Sequence, residues 1–531
     1  MAAMSIRQVI SFSDFFQTMT VISNSNQLQF GHNNLNPRLK KLSLMSQENS
    51  PLTSDKPMPT PSLWLSVLPL LVLFALLAYN VALYGDNSIG GANQMALILS
   101  AAFAGAIGLS RGMAWSVIQD RVLDNIKAAT PAILILLMVG ALTGAWLVGG
   151  IVPSMIYYGL GIFSPTVFVA SACLITAIAA VVIGSSWSTS ATLGIALMSI
   201  GYAMGINPGL VAGAIVSGAY FGDKMSPLSD TTNLASGVSG VDLFTHIRYL
   251  SMTAVPSIVI TLVLYTVLGW MMGGDAASVD DTSRYQQLIA EKFTVSPVLL
   301  LVPAAVIFLI VRKVAALPAL FVGAMAGILC AVLMQQNLVA ELSDEMGSTY
   351  QIMMQALYGD VSVVAGDPVL DDLLSTNGMY GMLNTVWLIL SAMVFGGVME
   401  ACGFLGRITQ ALISRVRSDA GLITATGATC MVTNVSASDQ YLALVVPGRM
   451  FSNAYKARGL APQNLSRTLE DTGTVTSVLV PWNTCGAYHA SVLGVATLAY
   501  APWAFFCLLS PLMTLFFAWA RIRIARDDQT A

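Results

Sequence analysis

The chain has 531 residues, 56% hydrophobic and only 10% charged, with a net charge of −3. Soluble proteins carry about 25% charged residues, so the composition excludes an ordinary soluble domain, and the acidic balance excludes a basic nucleic-acid surface. Apolar runs of about 20 residues, rather than alternating segments of about ten, predict an all-α polytopic membrane protein and not a β-barrel.

Residues 1–60 are polar, rich in Ser, Asn and Gln, and end in Pro51, Pro57, Pro59 and Pro61, which reads as a disordered cytoplasmic tail. No apolar core precedes a small-residue cleavage site, so no secretory signal is expected. Met45 opens MSQENS shortly before the first apolar run, which predicts a natural start there and a dispensable stretch 1–44. Apolar spans follow at 62–84, 94–110, 131–149, 166–183, 192–221 (broken), 249–272, 295–312, 317–335, 381–400, 420–454 (broken), 473–498 (broken) and 500–522. They predict about 10–13 transmembrane segments in two membrane repeats, 61–272 and 295–523, joined by an external loop 273–294. Arg111, Arg121, Lys127, Arg248, Arg312, Lys313, Arg407, Arg415, Arg417, Arg521, Arg523 and Arg526 mark cytoplasmic connections and a cytoplasmic tail at 524–531. The connections 273–292 and 336–380 carry Asp275, Asp280, Asp281, Asp344, Glu345, Asp371 and Asp372 and fit outside. Ala128 to Gly222 holds no ionisable Asp, Glu, Lys, Arg or His, so the charge rule cannot count its crossings. Six scattered Cys and three His show no metal-ligand or disulfide spacing.

Polar islands interrupt these runs. The first half has GSSWSTSAT at 184–192 and, after the charge-free stretch, GDKMSPLSDTTN at 222–233; the second has TNVSASDQ at 433–440 and LEDTGTVTS at 469–477, leading into PWNTCG at 481–486. Unwound backbone survives at membrane depth only where protein or a water-filled cavity satisfies it, and transporters bind cargo at such breaks. Ser185 to Asp223 spans 38 positions, as does Thr433 to Asp471, and each second break ends in an amide beside a hydroxyl, Thr232-Asn233 and Asn483-Thr484. The echo predicts a duplication with inverted repeats and discontinuous or re-entrant helices. Packing is the plainer reading of the Ser/Thr island 184–192, an interfacial carboxylate that of Glu400, and a surface charge cluster one reading of Arg467, Glu470 and Asp471. Neither a Walker A sequence nor a βαβ context for Gly159 and Gly161 is present, so no nucleotide site is expected.

SGAYFGDKMSPLSDTTNLA at 217–235, DLFTHI at 242–247, TNVSASDQYLA at 433–443 and LEDTGTVTSVLVPWNTCGAY at 469–488 resemble the NhaC family of sodium–proton antiporters. The resemblance implies a cation antiporter of inverted-repeat architecture in a bacterial inner membrane, with relatives that exchange malate for lactate with sodium. Two departures stand out: Val478 follows Ser477 where a Pro would match Ser226-Pro227, and Ser236-Gly237 replaces a Pro-containing continuation.

Sodium is a hard ion that takes oxygen ligands, and the islands supply carboxylates, hydroxyls, amides and freed carbonyls. The candidate ligands are Ser185, Ser186, Ser188, Asp223, Ser226, Asp230, Thr231, Thr232, Asn233, Asn434, Ser436, Ser438, Asp439, Asp471, Thr472, Thr474, Asn483 and Thr484. Asp223 and Asp471 lead as proton-coupling groups that also hold Na+, followed by Asp230 and Asp439. A carboxylate away from water favours its neutral form unless a cation replaces the proton, and that competition suffices for antiport. No paired Arg clamps a substrate carboxylate, which favours cations as cargo and leaves sodium-coupled organic-acid exchange, and less so a channel, as alternatives. No cofactor is expected beyond transported Na+ and H+; the partners are small cations, organic acids on the alternative reading, and the bilayer, with a homodimer left open.

Overall fold

The computed structural model describes residues 60–84, 88, 90–272, 279–414 and 416–527. The expected tail up to residue 59, positions 273–278 of the expected external loop, Arg415 and residues 528–531 lie outside that range.

Lipid offers no partner for backbone N–H and C=O groups, so each apolar run bonds within itself as a helix. The first half comprises α1 (Leu63–Tyr84), α2 (Ala92–Ser110), α3 (Trp115–Val148), α4 (Ile151–Ile162) and α5 (Pro165–Ile183). Next, α6 (Ser186–Thr189) runs through a π-turn, Ser190–Gly194, into α7 (Ile195–Ala203), followed by α8 (Pro208–Met225), α9 (Asp230–Ser239) and α10 (Leu243–Met272). The second half holds α11 (Val279–Lys292), α12 (Leu301–Val311), α13 (Ala316–Met334), α14 (Gln336–Met346), α15 (Thr349–Tyr358), α16 (Pro368–Leu373), α17 (Gly378–Ala401), α18 (Phe404–Ile413), α19 (Asp419–Ser436) and α20 (Gln440–Ala457). It closes with α21 (Pro462–Leu469), a second π-turn at Glu470–Thr474, α22 (Val475–Ser477), α23 (Thr484–Leu493), α24 (Thr497–Tyr500) and α25 (Phe505–Trp519).

Among the described residues seven helices, α1, α2, α3, α5, α10, α13 and α17, are long and apolar enough to cross a membrane. Two bent pairs raise the number to nine: Ser283–Lys292 with Pro297–Val311 at 92°, and Thr497–Trp503 with Phe505–Trp519 at 56°. The fold is the expected all-α polytopic one, with differences at the connections. Arg121 and Lys127 belong to α3, which accommodates Pro131 and runs on to Gly149 and Gly150. The acidic stretch 336–380 is folded rather than looped: it forms α14 to α16 and an antiparallel pairing of Val361–Ser362 with Ser375–Thr376. Ser348 and Gln351 close a capping box on α15, which stops a polar segment from fraying. The span expected as one broken helix at 192–221 is two helices, parted by Gly205 (φ 69°) and Asn207-Pro208.

The two halves repeat with a constant shift. Pro165 and Asp419, Pro208 and Pro462, and Asp230 and Thr484 open corresponding helices, each pair 254 positions apart. The turns obey the same shift: Gly184 and Ser438, Gly205 and Gly459, and Gly240 and Gly494 all have left-handed φ. The 38-position echo read in the sequence belongs to a different register. In the structural one Asp223 corresponds to Ser477, Ser185 to Asp439, and Pro227 to Pro481, so the proline missing after Ser477 is present three positions on.

Polar residues turn inward and large apolar ones outward, the reverse of a soluble protein: Ser186, Thr192, Asp223 and Lys224 are buried, whereas Leu71, Phe74, Val259 and Val263 are exposed. α8 lies along α5 through small residues, the usual way for membrane helices to approach closely. A Cβ on Gly218 would meet the Cys173 carbonyl oxygen at 2.1 Å, and one on Gly222 the Ala177 carbonyl oxygen at 2.2 Å. This contact sets the depth of Asp223, the next residue. Gly222→Ala should therefore cost about 1–3 kcal/mol by overpacking, read as thermal unfolding of the solubilised protein. Gly237→Ala, with open space around its Cβ, should unfold like the native chain.

Candidate functional site

α5 ends at Gly184 (φ 76°), and Ser185 caps α6 by accepting the Ser188 N–H at 3.2 Å. The freed N–H and hydroxyl of Ser186 donate to Asp223 Oδ2, at 3.0 and 2.7 Å. Asp223 lies in the last turn of α8 and is only 7% exposed. The chain then turns: Ser226 Oγ accepts the Leu228 N–H at 3.2 Å, and Ser229 caps α9 by accepting the Thr232 N–H at 3.4 Å. Ser229 also sits beside the Asp223 carboxylate, and its hydroxyl meets that of Thr231 at 3.1 Å. The Thr232 hydroxyl donates to the Lys224 carbonyl at 3.2 Å. Two expected ligands are placed otherwise. Asn233 donates its amide to the Pro227 and Ser229 carbonyls, at 3.0 and 2.7 Å, closing the turn. Asp230 is exposed at the first turn of α9.

Asp471, on the second π-turn, is fully buried in an ion pair with Lys224. Thr253 donates to its Oδ2 at 2.7 Å and Ser510 to its Oδ1 at 2.8 Å; Thr514 is a further donor. Lys224 also donates to Ser510 Oγ at 2.9 Å and lies 5.2 Å from the Phe506 ring centre. Lys224, from the first break, is the counter-ion of Asp471. Arg467, Glu470 and Asp471 are all fully buried, so the surface-cluster reading does not hold. The π-turn directs Asp471 to the ion pair and Glu470 toward Asp223 and Lys224, with the hydroxyls of Thr474 and Thr231 alongside. Neither oxygen of Glu470 has a hydrogen-bond partner. Wide turns of this kind recur at functional positions.

The second break holds another group. Ser438 (φ 60°) ends the turn after α19, and Asp439, buried like Asp223, caps α20 by accepting the Leu442 N–H at 2.9 Å. Asn434 donates to the Gly473 carbonyl at 2.6 Å and to Thr476 at 3.0 Å, tying α19 to the π-turn. Asn483 caps α23 and donates to the Asn434 carbonyl at 3.0 Å, while the Thr484 N–H donates to the Ser438 carbonyl at 2.9 Å. The Ser438 and Thr474 hydroxyls are buried without a partner. Ser436 and Thr472 bond the carbonyls one turn back, at Val432 and Thr468, which is packing chemistry. Ser188 accepts on its carbonyl from Thr192 at 2.8 Å. Tyr441, 42% exposed at the first turn of α20, lies near Asp223, Asp230 and Asp439. Glu470, Ser229 and Tyr441 were not among the expected ligands; for Glu470 the signal was its place beside Asp471 in the polar island 469–477.

Removing Lys224 would leave Asp471 buried and unpaired, which costs about 3–5 kcal/mol. Lys224→Ala should thus unfold well below the native protein in detergent, whereas Lys224→Met combined with Asp471→Leu should recover most of the loss.

Residues 218–522 match the Na+/H+ antiporter family. A Na+/H+ antiporter NhaC of Alkalihalophilus pseudofirmus is 37% identical over 82% of this chain and 92% of its own length. An arginine/ornithine antiporter ArcD of Halobacterium salinarum is 36% identical over 86% of this chain and 92% of its own. A malate-2H+/Na+-lactate antiporter of Bacillus subtilis is 35% identical over 77% and 85%. With its apolar helices and these relatives, this is a multi-pass membrane transporter rather than an enzyme, and the chain belongs to the Na+/H+ antiporter family.

Proposed function

We propose that this protein exchanges Na+ for H+ across the bacterial cytoplasmic membrane, with both termini inside, by competition of the two cations for buried carboxylates at its helix breaks. The observation that carries this reading is the contrast between Asp223 and Asp471. Both are buried at breaks, yet Asp471 has a fixed cation in Lys224, whereas Asp223 has only hydroxyl and N–H partners and no ion pair among the described residues. A bare ionised carboxylate at membrane depth is costly. Asp223 therefore takes a proton in the empty site and a sodium ion in the loaded one, and only those two states cross between inward- and outward-facing forms. Asp439, with Asn434, Ser438, Asn483 and Thr484, supplies oxygens from the second break. Asp471 keeps its charge through Lys224 and positions the π-turn.

A second reading, sodium-coupled exchange of organic acids, is favoured by Arg467. Its guanidinium is fully buried, stacks on the Tyr249 and Phe517 rings at 4.5 and 5.9 Å, and has no hydrogen-bond partner. Unspent guanidinium donors are the chemistry that holds a carboxylate.

Proteoliposome flux with Na+, Li+, K+, malate and lactate against an imposed proton gradient separates the two readings. Sodium alone should dissipate the gradient, and Asp223→Asn should abolish that exchange while the protein stays in the membrane. The native apparent sodium affinity should weaken by at least about tenfold per pH unit below the site's pKa. A sodium affinity flat from about pH 6 to 9, or normal exchange by Asp223→Asn, would overturn the competition mechanism; flux that requires malate or lactate would favour the second reading.

A further inference from the structure

Glu470 is the one fully buried carboxylate among the described residues with both oxygens unpartnered. A buried carboxylate that serves structure is held by donors or by a cation, as Asp471 is. Glu470 has neither. The nearest ammonium, on Lys224, is committed to Asp471 and Ser510. Thr474 and Thr231 place hydroxyls beside Glu470, yet neither Glu470 oxygen nor the buried Thr474 hydroxyl has a partner within full hydrogen-bond geometry. Thr231 touches Ser229 at 3.1 Å, and Ser229 lies beside Asp223. Two carboxylates and three hydroxyls, from α8, the loop after it, α9 and the π-turn, thus converge on one region. Hard oxygens of this kind, two of them on an unspent carboxylate, are what an alkali cation takes as ligands.

We propose that Glu470 and Asp223 together form one sodium site, in which Glu470 is a second proton-binding carboxylate that the ion displaces. This rests on the antiport reading above and adds to it a residue and a proton count. On sodium entry the O–H bonds of both carboxylic acids break, both protons leave for water, and the two carboxylates coordinate one ion. Two carboxylates sharing a site titrate as a pair in two steps, so sodium competes with one proton in the upper range of pH and with two below it. Glu470 has Asp223 and Lys224 of α8 nearby and Arg467 and Asp471 on its own helix, while Asp230 on α9 and Tyr441 on α20 lie toward Asp223. His246 on α10 adjoins the Lys224–Asp471 pair, and α19 and α25 bring the thiols Cys430 and Cys507.

Sodium binding to the solubilised protein, measured by equilibrium binding across pH, tests the proposal. At the acid end the native apparent affinity should fall by about a hundredfold per pH unit, the mass-action limit for two displaced protons. Glu470→Gln should fall by no more than about tenfold per unit, and Glu470→Asp, which keeps the carboxyl, should restore the steeper fall. A native limit of tenfold would overturn the role of Glu470 and leave one-proton antiport standing. So would a hundredfold limit that Glu470→Gln retains. A native affinity that does not change with pH would overturn both. The native curve decides the proton count even where Glu470→Gln fails to fold.

Discussion

An ammonium and a carboxylate buried together join the two halves of this protein. Lys224 comes from the end of α8 and Asp471 from the π-turn of the second half, with Thr253, Ser510 and Thr514 completing the shell. Neither charge is stable alone in such a place, and an isolated partner would be among the most costly groups in the molecule. The pair thereby holds the first half's break against the second half's π-turn. That juxtaposition faces Glu470 toward Asp223 and leaves these two carboxylates, like Asp439 at the other break, without a resident cation among the described residues.

The breaks themselves have local causes. Left-handed residues at Gly184 and Ser438 end one helix, and oxygen caps at Ser185 and Asp439 start the next. Ser229 and Asn483 do the same at the later breaks. A constant shift of 254 positions relates all of these, yet the two halves use them differently. Asp223 corresponds to Ser477 and Asp471 to Ser217, so each half contributes a carboxylate where the other has a hydroxyl. The duplication supplies symmetric backbone, and divergence at these positions supplies asymmetric charge: one carboxylate with an ammonium, one without.

Much of this was legible in the sequence. Spans, breaks and the unusual charge of Asp223, Asp439 and Asp471 follow from the cost of polarity in lipid, which is local and one-dimensional. Partners are not. Lys224 and Asp471 are separated by 247 positions, and nothing in the residues near either one names the other. The 38-position echo misled for a related reason: it matched residue types, whereas the repeat is carried by helix starts and turns, where identities differ. The acidic stretch 336–380 read as a loop because its composition is polar, but its amphipathic pieces and the capping box at Ser348 make short helices. Glu470 was hidden by its neighbours, since a run of Arg467, Glu470 and Asp471 looks like surface until packing shows all three buried.

The central claim is that sodium displaces protons from buried carboxylates that have no resident cation, Asp223 first among them. Sodium-induced infrared difference spectra report this directly, because a protonated carboxyl absorbs apart from an ionised one. Adding sodium to the native protein at a pH where the site is protonated should remove protonated-carboxyl absorption, and part of that loss should vanish in Asp223→Asn. A native spectrum with no loss of protonated carboxyl, or a loss that Asp223→Asn leaves whole, would contradict it.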